Sequence, residues 1–250
     1  MKNRKKIILG VFLVAAVMLI TFIALKQQAQ TQDDVAVIQP GRQITQKEKA
    51  YDRAYDSSKQ RKHKKLSQVR APGDFNAYVN AGYFDSINPN PNRGQIVGNR
   101  VCNADAIIIG RAGNKSTHLN EDETLVYSEY DVIVQEIIKN NANSPIQVNS
   151  VIQVTRPGGN IRYNGRLIRF IDGKHSPLLG GNYYLLFLKY VPEASGYIPL
   201  DESDDYFLNG NKATPTILSS TRGKEVEPED AGSLLNFVRT IAASSNCKQN

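Results

Sequence analysis

Tryptophan is missing from the 250 residues, while cysteine and methionine occur twice each and histidine three times. Two cysteines are too few for a disulfide-dense mini-scaffold or a four-cysteine zinc site. No G-x-S-x-G turn occurs, which excludes the strained nucleophile elbow of the α/β-hydrolases. No G-x-x-x-x-G-K-S/T pattern occurs, so a phosphate-cradling P-loop is excluded as well. With 40% apolar and 22% charged residues the composition is ordinary globular usage, leaving no room for collagen, coiled coil or wholesale disorder. The body also lacks an excess of positive charge, despite a formal net charge of +7. Residues 1–70 hold 15 Lys and Arg against 5 Asp and Glu, whereas the remaining 180 hold 16 against 19. The folded body is mildly acidic, and no nucleic-acid partner is expected for it.

Lys2, Arg4, Lys5 and Lys6 precede an uncharged run of 19 residues, 7–25. As a helix this run spans about 28 Å at 1.5 Å per residue, close to the hydrocarbon thickness of a bilayer. A cleaved signal peptide is the alternative, but its apolar region is usually shorter and ends in small residues, whereas this one leads into Lys26-Gln27-Gln28. The basic flank argues for a cytoplasmic amino terminus and a body beyond the cytoplasmic membrane. The expected organisation is a basic flank and transmembrane anchor (1–26), a polar basic stalk (27–100) and a β-barrel domain with a C-terminal helix (101–250). Within the stalk, Ala50, Tyr51, Ala54 and Tyr55 recur at helical spacing, a stripe thin enough to suit a solvated helix. Arg61-Lys62-His63-Lys64-Lys65 lacks the interleaved aromatics of a base-stacking platform and reads as a solvated face. The Asn- and Pro-rich stretch 86–94 reads as a turn or linker.

From Val101 onward the punctuation is that of β structure. Residues 104–112 form a short apolar run suited to a buried strand, and 113–123 read as a polar loop. In residues 124–139, Val126, Tyr130, Val132 and Val134 alternate with Glu129, Asp131 and Gln135, the period of a half-buried strand. Residues 147–156 make another strand, stopped by Pro157-Gly158-Gly159. Asn164-Gly165 predicts a type I′ hairpin in which Tyr163 faces Arg166, Arg162 faces Leu167 and Ile161 faces Ile168. Residues 183–191, apolar almost throughout, suit a strand covered on both faces, and Asn209-Gly210 marks a second hairpin. Leu234, Phe237, Val238 and Ile241 then switch to helical spacing behind Pro228. Short strands with close turns and one terminal helix predict a mainly β protein built on a closed or nearly closed barrel.

The stretch Val101-Cys102-Asn103-Ala104-Asp105-Ala106-Ile107-Ile108-Ile109-Gly110 resembles the opening of the netrin-like domains, which include the tissue inhibitors of metalloproteinases. Gly181-Asn182-Tyr183-Tyr184-Leu185-Leu186-Phe187 is similar to that family's glycine-led core strand. The resemblance spans residues 101–215 and implies a five-stranded OB-type (TIMP-like) barrel. It does not imply protease inhibition, because inhibitory members use a free amino-terminal Cys-x-Cys that this chain does not have.

Cys102 and Cys247, both on the exported side of the expected anchor, form a candidate disulfide, with two free thiols as the alternative. Arg156, Arg162, Arg166, Arg169 and Lys174 concentrate cations around one hairpin, whose tip also carries Tyr163. Arginine's planar fork suits carboxylate or phosphate, so Arg156, Arg162, Tyr163, Arg166 and Arg169 are the candidate site for an anionic partner, a protein or an envelope component. A metal reading would join His118, Glu121, Asp122 and His175 as zinc-type ligands, at spacings that fit no compact pair on one element. No residue pattern requires a cofactor. The sequence points to a membrane-anchored, extracytoplasmic, non-enzymatic binding module. A membrane-tethered metal-dependent hydrolase is the alternative.

Overall fold

Fourteen-residue strands form the longest elements, and their alternation explains them. Strand β3 (Ala106–Leu119) and strand β4 (Val126–Lys139) pair antiparallel, with irregular register near Gly113 and Asn114. On β4, Tyr130, Val132 and Val134 are buried together, while Glu129 and Asp131 lie on the other face and are only partly covered. Upstream lie strand β1 (Ala36–Ile38), helix α1 (Gln46–Ser57), strand β2 (Phe75–Val79) and helix α2 (Arg93–Asn103). Downstream follow β5 (Val151–Pro157), β6 (Gly159–Tyr163), β7 (Arg166–Asp172), β8 (Tyr183–Val191), β9 (Gly196–Pro199), β10 (Tyr206–Asn209), β11 (Lys212–Pro215), β12 (Glu229–Asp230) and helix α3 (Ala231–Ala243). The protein is mainly β with a C-terminal helix. The computed structural model describes residues 35–39, 41–57, 64–69, 73–79, 93–200, 205–216, 228–244 and 247. The apolar run 7–25, most of the 61–65 basic cluster and most of the 86–94 stretch lie outside the described residues. No helix among the described residues is long and apolar enough to cross a membrane.

The larger sheet runs β12-β11-β10-β8-β3-β4-β5-β9, and β9 also pairs with β8. The pairings β3–β4, β4–β5, β5–β9, β9–β8 and β8–β3 therefore return to their start, a ring of five strands in which only β5 and β9 run parallel. Inside this ring sit Ile108, Tyr130, Val132, Val154, Leu186, Leu188 and Tyr197. Strand β8 uses both faces: Leu186 and Leu188 point inward, while Leu185 and Phe187 meet α2 and α3 through Val101, Leu234 and Val238. That double coverage is why its sequence carries almost no polar alternation. Helix α3 starts at Asp230, whose carboxylate accepts the Ser233 amide at 2.7 Å, the N-cap bond that satisfies an otherwise orphaned donor.

A second sheet, ordered β1-β6-β7-β2, shares its chain with the first at Gly158 and Gly159. Strand β5 stops at Pro157 as expected, and Gly158-Gly159 turn the chain from one sheet into the other. Both glycines have positive φ (104° and 145°), and a Cβ on Gly159 would collide with Thr117 and Ser128. The β6–β7 hairpin has the predicted register, with Tyr163 opposite Arg166, Arg162 opposite Leu167 and Ile161 opposite Ile168. Its turn residues Asn164 and Gly165 both have positive φ, as type I′ demands. In the second hairpin the turn falls one residue later than expected, on Gly210 and Asn211, with Asn209 paired to Lys212.

Two expectations need correction. The segment placed in a stalk supplies β1, α1 and β2 to the same compact unit, residues 35–250, as the strands of the five-membered ring. Its stripe is short but heavy: Tyr51 and Tyr55 lie buried against Tyr127 with ring centroids 5.9 Å away in each pair, and Tyr55 bonds Thr155 at 2.7 Å. Two buried aromatic rings hide far more area than two helical turns of alanine, so a narrow stripe suffices to dock the helix. The body therefore does not begin at Val101. The polar loop expected at 113–123 is also largely strand, since β3 continues to Leu119; Ser116 is exposed and His118 reaches Glu48 on α1, whereas Thr117 is buried and bonds Ser128.

Candidate functional site

The five residues proposed for anion capture divide into an interior and a surface set. Arg156, on β5, is 1% exposed. It pairs with Asp205 at 2.7 Å and donates to Thr216 Oγ1 and to the Ser176 carbonyl. It is a structural cation, buried and committed to Asp205 before β10, Thr216 after β11 and the Ser176 carbonyl. Tyr163 is also buried, donating its hydroxyl to Glu123 at 2.7 Å. Burial and that carboxylate push its pKa up to about 12. Arg166, half-buried, donates to the Val69 carbonyl and lies 5.7 Å over the Phe75 ring. Arg162 and Arg169 do reach solvent.

These two arginines project from the outer face of the second sheet, because positions 160, 162, 167 and 169 alternate with the buried Ile161, Tyr163, Ile168 and Phe170. Register places Val37 beside Arg162 and Asn76 beside Arg169. Val37 is 71% and Tyr78 50% exposed, and Asn76 donates to the Tyr78 hydroxyl. Arg162 donates one bond to the Gly165 carbonyl. The result is a pleated face with two guanidinium groups, a tyrosine and a valine.

Cys102 and Cys247 are bonded, their Cα atoms 4.7 Å apart. The link joins the last turn of α2 to the segment beyond α3, beside the cluster that includes Val101 and Val238.

The zinc-type grouping is not assembled. His175 sits inside the protein, its Nδ1 2.7 Å from Asp172. Asp122 is turned into its own loop, accepting from Asn120 and the Thr124 amide. No group of three or more metal-ligating side chains occurs among the described residues.

His118 has other partners, which the sequence did not reveal. Its Nδ1 lies 3.0 Å from Glu48 Oε1 on α1, its Nε2 lies 3.0 Å from Ser116 Oγ, and its ring stacks on Tyr127 at 5.3 Å. Glu48 also receives Arg42 at 2.7 Å, together with the amide and hydroxyl of Thr45. Burial raises its pKa, but the bonds from His118, Arg42 and Thr45 outweigh that and hold the carboxyl well below the usual range. An ionised carboxylate only accepts, so Nδ1 of His118 carries a proton towards Glu48, and in the neutral tautomer with that proton Nε2 accepts from the Ser116 hydroxyl. Two residues away on one strand, Ser116 and His118 share a face; that spacing was the available signal, hidden by reading the segment as loop. Glu48 comes from a helix 70 positions earlier, and no local pattern announces it.

Beside this cluster, the turn before α1 and the β3–β4 loop enclose a cavity of about 430 Å³ lined by Arg42, Lys49, Asn120, Glu121, Glu123 and Tyr163, among others. The sequence matches no family model and no curated protein.

Proposed function

We propose that the protein is a membrane-anchored, extracytoplasmic binding module that takes an acidic protein segment onto the outer face of its second sheet. The observation that carries this reading is the placement of Arg162 and Arg169 on one exposed, pleated face beside Tyr78 and Val37, while Arg156 and Tyr163 are committed to the interior. Guanidinium forks bind carboxylates bidentately, and an exposed tyrosine and valine add the apolar contact that an ion or a bare polymer would not use. The anchor rests on the 19 uncharged residues behind Lys2, Arg4, Lys5 and Lys6. An oxidising compartment is supported by the Cys102–Cys247 link, a bond rare in the cytosol.

The five-stranded ring is read here as an OB-type barrel of the netrin-like kind. Its closure through β8–β9 and its single parallel pair, β5 with β9, support that reading, as do the two segments around Cys102 and Gly181. Titration of the full chain in detergent with poly-L-glutamate tests the binding face. Wild type should bind with strong salt dependence, and R162S/R169S should weaken binding at least about tenfold, the loss of ~1.4 kcal/mol. Equal binding by the two proteins would overturn the proposed face.

A further inference from the structure

We infer that Ser116, His118 and Glu48 form a nucleophilic relay able to hydrolyse short-chain carboxylic esters. Nucleophile, base and orienting carboxylate stand in line at 3.0 Å and 3.0 Å, the distances that general-base activation of a serine requires. The relay is held from several sides. Ser116 and His118 are fixed by the β3–β4 ladder opposite Glu129 and Tyr127. The His118 ring is stacked on Tyr127, and Glu48 is clamped by Arg42 and the Thr45 cap at the start of α1. His118 is 27% exposed and Ser116 open to solvent, so both reactive atoms are reachable, whereas Glu48 is nearly covered. That gradient of exposure, outward from carboxylate to hydroxyl, is what a working relay needs and what a buried structural network lacks.

In the first half of the reaction the Ser116 oxygen adds to the ester carbonyl while its proton passes to His118 Nε2. The tetrahedral adduct then expels the alcohol, which takes that proton, leaving an acyl group on Ser116. Water attacks the acyl carbon in the second half, gives a proton to Nε2, and the carboxylic acid leaves as Ser116 regains its hydrogen. Glu48 accepts from Nδ1 throughout and is a positioning residue: it fixes the tautomer and offsets the charge of the imidazolium. Lys47, bonded at 2.7 Å to Glu129, the residue directly across the ladder from Ser116, places an ammonium–carboxylate pair beside the hydroxyl on the same face. Ser116 does not line the 430 Å³ cavity; it stands exposed on an open strand, which suits a short acyl group such as acetyl.

The test uses the full chain in detergent with p-nitrophenyl acetate and, separately, a fluorophosphonate that modifies activated serines. Wild type should release a burst of p-nitrophenolate and carry the phosphonate on the peptide containing Ser116. Ser116→Ala, an exposed change that leaves the fold intact, should abolish both. His118→Gln should lower kcat by roughly 10²-fold or more. Glu48→Gln should lower kcat with KM unchanged and alter the pH profile; the charged or titratable groups around the ring are Glu48, Arg42, Lys47, Glu129, Tyr51 and Tyr127. Absence of labelling in wild type, or turnover that survives Ser116→Ala, overturns the relay. Poly-L-glutamate binding is a separate readout, so either reading can fail without the other.

Discussion

Replacing Arg156 by methionine separates an internal arginine from a surface one. In the wild type its guanidinium meets Asp205 at 2.7 Å, with side-chain exposures of 1% and 4%, and donates to Thr216 and the Ser176 carbonyl. Asp205 has one further donor described, the Phe187 amide at 2.9 Å. Methionine fills similar volume but leaves a buried carboxylate with that single amide and two acceptors unserved. Breaking one side of such a pair costs about 3–5 kcal/mol. For a unit of this size that lowers the melting temperature by about 6–20 °C. Adding Asp205→Asn should return much of the loss, because the uncompensated charge rather than the missing attraction dominates the cost. Arg162→Ser, on the open face, should change stability by no more than about 0.5 kcal/mol. Thermal unfolding followed by circular dichroism reads all four proteins. A wild-type melting temperature for Arg156→Met, or equal damage from Arg162→Ser, would refute the assignment of one arginine to the core and the other to the surface.

Reducing Cys102–Cys247, which closes 145 positions, should cost about 5 kcal/mol in the chain-entropy model and show as a lower melting temperature with dithiothreitol; an unchanged transition would count against the bond. Because the Glu48 carboxyl is held below its ordinary value of 4.5, its stabilising contribution is complete above that pH and is lost as acid protonates it in the fold. Glu48→Gln should therefore flatten the acid limb of a stability-against-pH curve, and an unaltered limb would contradict the clamp. Tyr163 is displaced upward, so its contribution holds below about pH 10 and fades as the pH rises towards 12; Tyr163→Phe should remove that alkaline loss in urea titrations above pH 9. Gly159→Ala should impair folding through its positive φ and the collision with Thr117 and Ser128, visible as poor soluble yield.

Local chemistry made much of the β body readable in advance. Asn164-Gly165 fixed a hairpin register residue by residue, and the alternation in β4 assigned its buried face, because both depend on neighbours in the chain. The disulfide pairing was suggested by two cysteines downstream of the expected anchor, where an exported pair is more often bonded than free. Helix α1 was harder: its weight is carried by Tyr51 and Tyr55, and whether a tyrosine stripe docks depends on Tyr127 and Thr155, far downstream. The arginine cluster misled for a related reason. Proximity in sequence brought Arg156 and Arg162 together, but the turn at Gly158–Gly159 sends one into the core beside Asp205 and the other to the surface. Glu48 escaped notice because its partnership with His118 crosses from a helix to a strand and exists only after the two have packed, and Ser116 because its segment reads as a loop.

Sidedness is the premise of the anchored binding module, and it can be read in one experiment on sealed cells. The full chain, carrying an epitope after Asn250, is exposed to an added protease before and after lysis. A body lying beyond the membrane loses the epitope while the cells are still sealed. An epitope that survives until lysis would place the body inside, and the proposed function would fall with it.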